Sequence, residues 1–222
     1  MSTNVTCEEE LTQILNQYKR KQPEYHLILV PILSPDQKTV GFLYPVTSDF
    51  ATTLPGCVEM LNRWRKDNPT LSPSRFLITH ERTEKWINSA IINNDKRILF
   101  LIQDLDGMFV GHMGFTNIIP EKNSAEVDMV VRGEKKLDPG LMGLALKSLI
   151  RWGKEYLGLK YIDLVVLPYN KHGIAFYQRC GFAKDGIIPL IKVEADEEIS
   201  WIRCQEPVAE PEYYFLHMAL RE

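Results

Sequence analysis

The stretch from residue 170 to residue 182 reads NKHGIAFYQRCGF, and it decides the fold of the chain. It follows an apolar run from Tyr161 to Leu167 that predicts a buried strand. The stretch itself predicts a helix from about Lys171 to Arg179, ended near Gly181 by the left-handed cap that glycine adopts freely. Residues 161–182 therefore form one predicted unit of strand, turn and helix.

The segments before this unit predict an antiparallel meander followed by a helix. Two apolar runs, Arg97 to Gln103 and Met108 to Phe115, are joined through Asp106-Gly107, a dipeptide that suits the positive φ of a tight hairpin turn. A third strand from Ala125 to Val131 should continue the meander. The apolar period then becomes that of a helix between Leu141 and Leu157.

The remaining segments extend the same sheet at both ends. Thr6 and Glu9 form a capping-box pair at the start of an N-terminal helix. The other predicted elements are a hairpin of Tyr25–Leu33 and Thr39–Val46, helices over Pro55–Lys66 and Glu81–Asn93, and strands over Ile187–Val193 and Tyr213–Leu220. A charged excursion from Glu194 to Glu198, interpreted as a solvated hairpin, separates the last two strands. The pattern predicts one mixed α+β sheet with no linker long enough to separate domains.

Composition bounds the class of protein. The chain has 222 residues, 45% of them hydrophobic and 25% charged, which suffices for a sizeable core. The net charge of -3 creates no field that would gather nucleic acid or an anionic membrane. No apolar run is long enough to span a bilayer, and Met1 to Glu10 lacks the features of a secretory signal, so we expect a cytoplasmic protein. Cys7, Cys57, Cys180 and Cys204 lack metal-binding spacing, which predicts reduced thiols and no metal.

The 170–182 stretch resembles the final cofactor-binding segment of the GNAT superfamily of N-acetyltransferases. Four positions match the family pattern, namely Asn170, Tyr177, Gly181 and Phe182. Gly173 replaces the alanine that the family commonly has. The resemblance continues back over the strand, helix, strand order from Glu126 to Leu167, and more loosely covers Gly41 to Leu220.

This resemblance implies an α+β GNAT fold with a mixed, mostly antiparallel central sheet and helices on both faces. Residues 1–40 would form an N-terminal helix and strand extension packed on the core. Residues 41–222 would form the acyltransferase domain.

The resemblance also implies acetyl-CoA as the co-substrate, without a metal. In the family a splayed strand offers backbone groups to pantetheine, and the matching residues here are Met129, Val130 and Val131. Pyrophosphate binding needs convergent N–H donors at a helix start. The matching segment is Gly140, Leu141, Met142, Gly143, Leu144 and Ala145. Gly140 stands where the family has Gln or Arg, and Asn170 completes the predicted cofactor contacts.

Family members use direct attack of an amine on the thioester, which calls for a base and an acid. Tyr177 occupies the family position whose hydroxyl reaches the CoA sulfur, and it is the predicted acid. Glu126 resembles the family's strand glutamate and is the predicted base. Strand alternation puts Asp128 on the same face, so either carboxylate could be the base and the other could orient the substrate ammonium. His112 and His80 are further candidate bases near neutral pH.

The acceptor site of this fold lies between the first two helices, their loop and the later hairpin. The candidate substrate contacts are Arg75, His80, His112 and Asp128. The sequence is similar to GNAT enzymes that acetylate nucleotide-linked amino sugars of surface glycans, so an amino sugar is the predicted acceptor. A peptide or protein N-terminus, or another small amine, is the alternative. A non-catalytic CoA-binding sensor or scaffold is the alternative of another class, and pairing of edge strands into a homodimer is a further hypothesis.

Overall fold

The computed structural model describes residues 7–74, 77–135, 139–195, 198–204, 206 and 211–221. Its helices are α1 (Cys7–Tyr18), α2 (Phe50–Thr53), α3 (Cys57–Asp67), α4 (His80–Trp86), α5 (Leu141–Tyr156) and α6 (Lys171–Arg179). Its strands are β1 (Val30–Leu33), β2 (Thr39–Pro45), β3 (Ile98–Asp104), β4 (Phe109–Ile119), β5 (Ser124–Arg132), β6 (Tyr161–Val166), β7 (Phe182–Ala195), β8 (Glu198–Arg203) and β9 (Tyr213–Leu220). Helix α4 continues as a π-helix over Ile87–Ile92.

The described strands form one sheet in the order β1-β2-β3-β4-β5-β6-β9-β7-β8. Neighbouring strands are antiparallel except β5 and β6, which are parallel. The α5 helix supplies the crossover that a parallel pair requires. The predicted mixed, mostly antiparallel sheet is therefore confirmed.

Two apolar clusters cover the two faces of the sheet. On one face, Trp152 of α5 packs edge-on against Phe100 at 5.1 Å and against Tyr18 of α1 at 5.0 Å between ring centroids. On the other face, Trp64 of α3 and the π-helical segment pack over Leu99. Because each face of the sheet is apolar, each needs a helical layer to exclude water, as predicted.

Strands β5 and β6 pair over four residues and then separate. Their pairing runs from Ser124 with Tyr161 to Val127 with Leu164. Beyond Val127, β5 continues beside β4, whereas β6 continues beside β9. The sheet therefore opens between two parallel neighbours, and the site is built at this opening.

Most predicted elements are confirmed within a few residues, and α6 and β9 have the predicted bounds. The predicted left-handed residue at the end of α6 is Gly181, with φ of 98°. The main difference is β8, which pairs with β7 where the sequence predicted only a charged excursion. Residues 196 and 197 of that excursion lie outside the described residues. Strand β7 is also longer than predicted, since it begins at Phe182.

All four cysteines are free, with Cys57 buried, Cys180 and Cys204 partly buried and Cys7 exposed. The described residues contain no cluster of histidine, cysteine or carboxylate side chains suited to a metal ion. Within the same part of the chain, no helix combines the length and the apolar character needed to cross a bilayer.

Lys19, directly after α1, is a fully buried cation. Its Nζ donates a hydrogen bond to the Asn94 carbonyl oxygen at 2.7 Å. Burial lowers the pKa of Lys19 to about 7, the charge of Lys21 lowers it further, and Asp95 opposes the shift. Between about pH 7 and 10.5, the unfolded chain holds a proton on this amine that the folded chain lacks, so folding is favoured as pH rises.

Replacing Lys19 by methionine should remove this pH dependence. We expect the free energy of unfolding of the wild type to rise by about 2 kcal/mol between roughly pH 7.5 and 9.5, since each unit is worth up to about 1.4 kcal/mol. Urea unfolding at both pH values would measure it. Lys154→Met, at an exposed position of α5, should keep the wild-type slope. An equal slope in Lys19→Met and in the wild type would contradict the assignment to Lys19.

Candidate active site

The site begins at a bulge in β5. His112 of β4 pairs with Val131 and Gly114 pairs with Asp128, so β5 has one more residue than β4 between these pairs. Met129 lies at this point with φ of 56°, in the left-handed region. A bulge bends the strand and re-aims its side chains. It also leaves the backbone groups of 129–131 without a partner on β6, at the strand segment predicted to contact pantetheine.

Asp128 precedes the bulge, and its carboxylate is only partly satisfied. The Met129 N–H donates a hydrogen bond to Oδ1 at 2.7 Å. No salt bridge to Asp128 occurs among the described residues. Burial raises the pKa of Asp128, with the Met129 N–H opposing, Glu126 adding to the rise, and Arg97 and Arg203 opposing. A carboxylate with a raised pKa is a better proton acceptor near neutral pH.

Tyr177 of α6 interacts electrostatically with Asp128. Its ring packs against Phe176 at 5.3 Å and Phe182 at 6.2 Å. Burial raises the pKa of Tyr177 well above its ordinary value, and the charges of Asp128 and Cys180 raise it further. The phenol therefore stays protonated at neutral pH, as a proton donor must. Within the described part of the chain, its hydroxyl has no hydrogen-bond partner.

Glu126 is held by an arginine. Arg203 of β8 donates from Nη1 to Oε2 at 2.7 Å and from Nη2 to Oε1 at 2.5 Å. Asn117 donates a further bond to Oε2 at 3.3 Å. Only 8% of the Glu126 side chain is exposed, so both of its oxygens are committed to a bidentate, largely buried ion pair. This geometry suits a group that positions its neighbours better than a group that exchanges protons.

The first turn of α5 has the form of an anion site. Gly140 precedes the helix with φ of 90°, and no side chain in the described part of the chain caps the helix start. The Leu144 N–H bonds to the Gly140 carbonyl oxygen, whereas the N–H groups of 141–143 precede the first internal helix bond. Such uncapped N–H groups bind phosphates. The left-handed φ also explains why glycine occupies a position where the family has Gln or Arg.

The remaining predicted cofactor residues have mainly structural surroundings. Leu141 and Ala145 are buried in the core, with Val130, Met142 and Leu144 packed partly against it. Asn170 is the N-cap of α6, and its Oδ1 accepts a hydrogen bond from the Gly173 N–H at 2.9 Å. A Cβ on residue 173 would lie 2.7 Å from Asn170 Nδ2, so glycine accommodates this cap.

The structure places only some of the predicted substrate contacts at one cavity. His112 is buried and lines a cavity of about 450 Å³ between the sheet, α3 and α4. His80 is exposed at the start of α4, with Nδ1 3.4 Å from Glu59 Oε1, and it does not line this cavity. Arg75 lies outside the described residues. Asp128 precedes Met129, which lines the cavity.

Strand β8 contributes contacts that the sequence analysis missed. The Trp201 N–H donates to Ser74 Oγ at 3.2 Å, and Arg82 of α4 forms an ion pair with Glu198. The β7–β8 hairpin therefore reaches the loop between α3 and α4. The alternation of Ile199, Trp201 and Arg203 with other residues in EISWIR is a strand signal that could have predicted this element.

Comparison with known proteins identifies the class of this chain. Residues 43–183 match the family described as the Acetyltransferase (GNAT) domain, which is more than half of the chain. The chain therefore belongs to the GNAT family of acetyl-CoA-dependent N-acetyltransferases. A comparison with curated protein sequences finds no match.

Solved structures with a similar fold include spermidine/spermine N-acetyltransferase SpeG from Vibrio cholerae in complex with manganese ions. It has a TM-score of 0.55 and 14% identity, over 82% of this chain and 92% of that chain. A mutant of spermidine N-acetyltransferase SpeG from the same organism has a TM-score of 0.55 and 16% identity, over 74% of this chain and 89% of that chain. At this identity the likeness establishes the fold.

The ion pair between Arg203 and Glu126 should stabilise the protein. We expect Arg203→Met to lower the free energy of unfolding by about 1–2 kcal/mol, because it leaves a buried carboxylate unpaired while the partly exposed arginine moderates the loss. Adding Glu126→Gln should recover most of it. Arg82→Met, which breaks an exposed pair, should cost less than about 0.5 kcal/mol. Urea unfolding measures all four proteins, and equal losses in the two single arginine variants would refute the distinction.

Proposed function

We propose that the chain transfers the acetyl group of acetyl-CoA to a primary amine, with Asp128 as the proton acceptor and Tyr177 as the proton donor. The observation that carries the proposal is the electrostatic interaction between Tyr177 and Asp128, which directly follows the last β5 residue that pairs with β6. Asp128 has a raised pKa and no salt bridge within the described residues, and Tyr177 has a protonated hydroxyl. Glu126, bound to Arg203, is a positioning residue in this proposal.

The residues around the opening fit the co-substrate. The backbone of 129–131, which has no partner on β6, suits the amides of pantetheine, and the N-terminus of α5 suits a pyrophosphate. The two segments lie near each other, because a Cβ on Gly111 of β4 would contact the Val131 carbonyl oxygen and lie 3.3 Å from Met142 Sδ. This arrangement supports the predicted cofactor residues as a group.

When bound, acetyl-CoA supplies a thioester carbonyl for attack and a thiolate that can leave. Asp128 takes a proton from the neutral amine as the carbon–nitrogen bond forms. Tyr177 gives its hydroxyl proton to the sulfur as the carbon–sulfur bond breaks. The proton gained by Asp128 balances the proton given by Tyr177, and no covalent intermediate on the protein is needed. The charge of Asp128 also keeps Tyr177 protonated until sulfur becomes basic.

Tyr177→Phe tests the proton donor. The variant keeps the ring contacts with Phe176 and Phe182, so we expect the Kd for CoA to change by less than about twofold. Turnover should fall by about 100-fold or more, the usual contribution of a positioned acid. Tyr161→Phe, at an exposed tyrosine, should leave both quantities unchanged. Full turnover in Tyr177→Phe would exclude the hydroxyl from the reaction.

Asp128→Asn and Glu126→Gln together test which of the two carboxylates accepts the proton. Asparagine can still accept the bond from the Met129 N–H, but it cannot take a proton from the amine. We expect turnover to fall about 100-fold or more in Asp128→Asn and by a smaller factor in Glu126→Gln. In the wild type, kcat/KM should rise with pH as Asp128 loses its proton, through a pKa above the ordinary 3.8 of aspartate. A larger loss in Glu126→Gln would transfer the role to Glu126.

The first experiment combines a thermal shift with CoA and chromatographic detection of CoA formed from acetyl-CoA. The acceptor panel should contain nucleotide-linked amino sugars, peptides with free N-termini, aromatic amines and spermidine. Stabilisation and turnover together would support the proposal. Stabilisation without turnover on any amine would favour a non-catalytic sensor, and no stabilisation would contradict the cofactor site.

The charges near the acceptor side bear on the chemical class of the acceptor amine. A nucleotide-linked amino sugar stays a prediction of the sequence, and its diphosphate would need cations. Arg82 and Arg203, which lie near the acceptor side, are both engaged by carboxylates. The SpeG structures suggest a polyamine through their names alone. Cytoplasmic location and homodimer formation also stay predictions.

A further inference from the structure

A cavity of about 450 Å³ lies beside the reaction centre. It is bounded by the end of α3, the loop after α3, α4 and the bulged part of β5. Its volume falls in the range of roughly 300–1,000 Å³ that is typical of small-molecule sites. Met129, which follows Asp128 in the chain, lines the cavity, so the cavity reaches the strand segment that carries the proposed proton acceptor.

The lining of this cavity is apolar and aromatic, with few charges. Leu71, Ile78, Trp86, Met129 and Val131 supply most of the apolar surface. Among the described lining residues the charged group is Arg65, whose Cζ lies 5.1 Å from the centre of the Trp86 ring. No carboxylate belongs to this described lining. A polyamine would therefore meet apolar surface and a cation instead of the anions that it needs.

The polar members of the described lining are Arg65, Asn68, Ser72, Ser74 and His112, and among them only His112 is buried. Its side chain is 3% exposed, and its ring stacks on Trp64 with centroids 5.9 Å apart. Neither ring nitrogen makes a hydrogen bond of good geometry among the described residues, although the Met129 backbone lies close enough to interact with the ring. Burial lowers the pKa of His112 to about 4, with the Met129 backbone opposing and Arg65 adding to the shift. The imidazole is therefore neutral at pH 7 and offers one donor and one acceptor.

We propose that this cavity holds the apolar body of the acceptor amine and that His112 selects an acceptor with an uncharged hydrogen-bonding group, such as a hydroxyl. This inference rests on the proposed acetyltransferase function and narrows its substrate class to apolar monoamines. His112 is a specificity residue in this assignment, because a neutral imidazole lacking partners gains most from a ligand that supplies them. It does not exchange protons with the amine.

The polar character of His112 also decides between two occupants of the cavity. A long acyl chain on CoA would fill apolar space but would leave both imidazole nitrogens without partners. Buried polar groups left in that state cost free energy on binding. An acceptor with a hydroxyl satisfies the ring and fills the remaining apolar volume, so it is the better occupant.

Calorimetric binding to the complex of the enzyme with CoA tests this assignment without requiring turnover. Tyramine carries a hydroxyl, phenethylamine lacks it, and spermidine is a polycation. We expect tyramine to bind roughly tenfold more tightly than phenethylamine, and both to bind more tightly than spermidine. In His112→Phe the preference for tyramine should disappear, whereas His112→Gln, which has a donor and an acceptor, should restore part of it.

The stability of the His112 variants distinguishes a role in selecting the acceptor from a role in stabilising the fold. Because His112 lacks partners in the described structure, His112→Phe should unfold at the same urea concentration as the wild type or a higher one. Three results would overturn the assignment. They are marked destabilisation of His112→Phe, tighter binding of spermidine than of tyramine and phenethylamine, and an unchanged preference for tyramine in His112→Phe. If octanoyl-CoA competes with tyramine, and the enzyme transfers octanoyl groups faster than acetyl groups, then the cavity binds the acyl chain and the assignment is wrong. If the wild-type enzyme binds tyramine but does not acetylate it, the result counts against the proposed reaction and not against the assignment of the cavity.

Discussion

The separation of β5 from β6 after Val127 is the constraint on which the site depends. Parallel strands that stayed paired would satisfy each other's backbone groups and leave no room for a ligand at the centre of the sheet. The bulge at Met129 turns β5 toward β4 and away from β6. Every element of the proposed reaction is arranged around this opening: unpaired backbone on β5, the start of α5, and Tyr177 on α6.

Several carboxylates near β5 and β6 have side-chain partners. Arg203 binds Glu126, and His217 Nε2 lies 3.1 Å from Asp163 Oδ2. The other ring nitrogen of His217 lies 3.2 Å from Asp185 Oδ2. Asp128 differs from these carboxylates because its described contacts include a backbone N–H and no cation. Pairing of the neighbouring carboxylates lets one acid keep a raised pKa without a general excess of negative charge.

The sequence predicted the fold well because local patterns determined most of it. Helix α6 was bounded correctly, since its N-cap Asn170 and its left-handed terminus at Gly181 are both local signals. The face shared by Glu126 and Asp128 followed from strand alternation. The bulge at Met129 could not be predicted from that alternation, since it depends on how β5 pairs with β4. The partner of Glu126 could not be predicted either, because Arg203 is 77 residues away and on a strand that was missed.

Lys19 and His112 show how two buried titratable groups can have different explanations. Both have pKa values lowered mainly by burial, to about 7 for Lys19 and about 4 for His112, so at pH 7 the imidazole is neutral and the lysine is about half protonated. Lys19 donates a hydrogen bond to the Asn94 carbonyl oxygen, so its buried amine has a partner within the fold. His112 lines a cavity and makes no hydrogen bond of good geometry among the described residues, although the Met129 backbone lies near its ring. A buried polar group whose desolvation cost is not recovered within the fold is best explained by a ligand that supplies its hydrogen bonds.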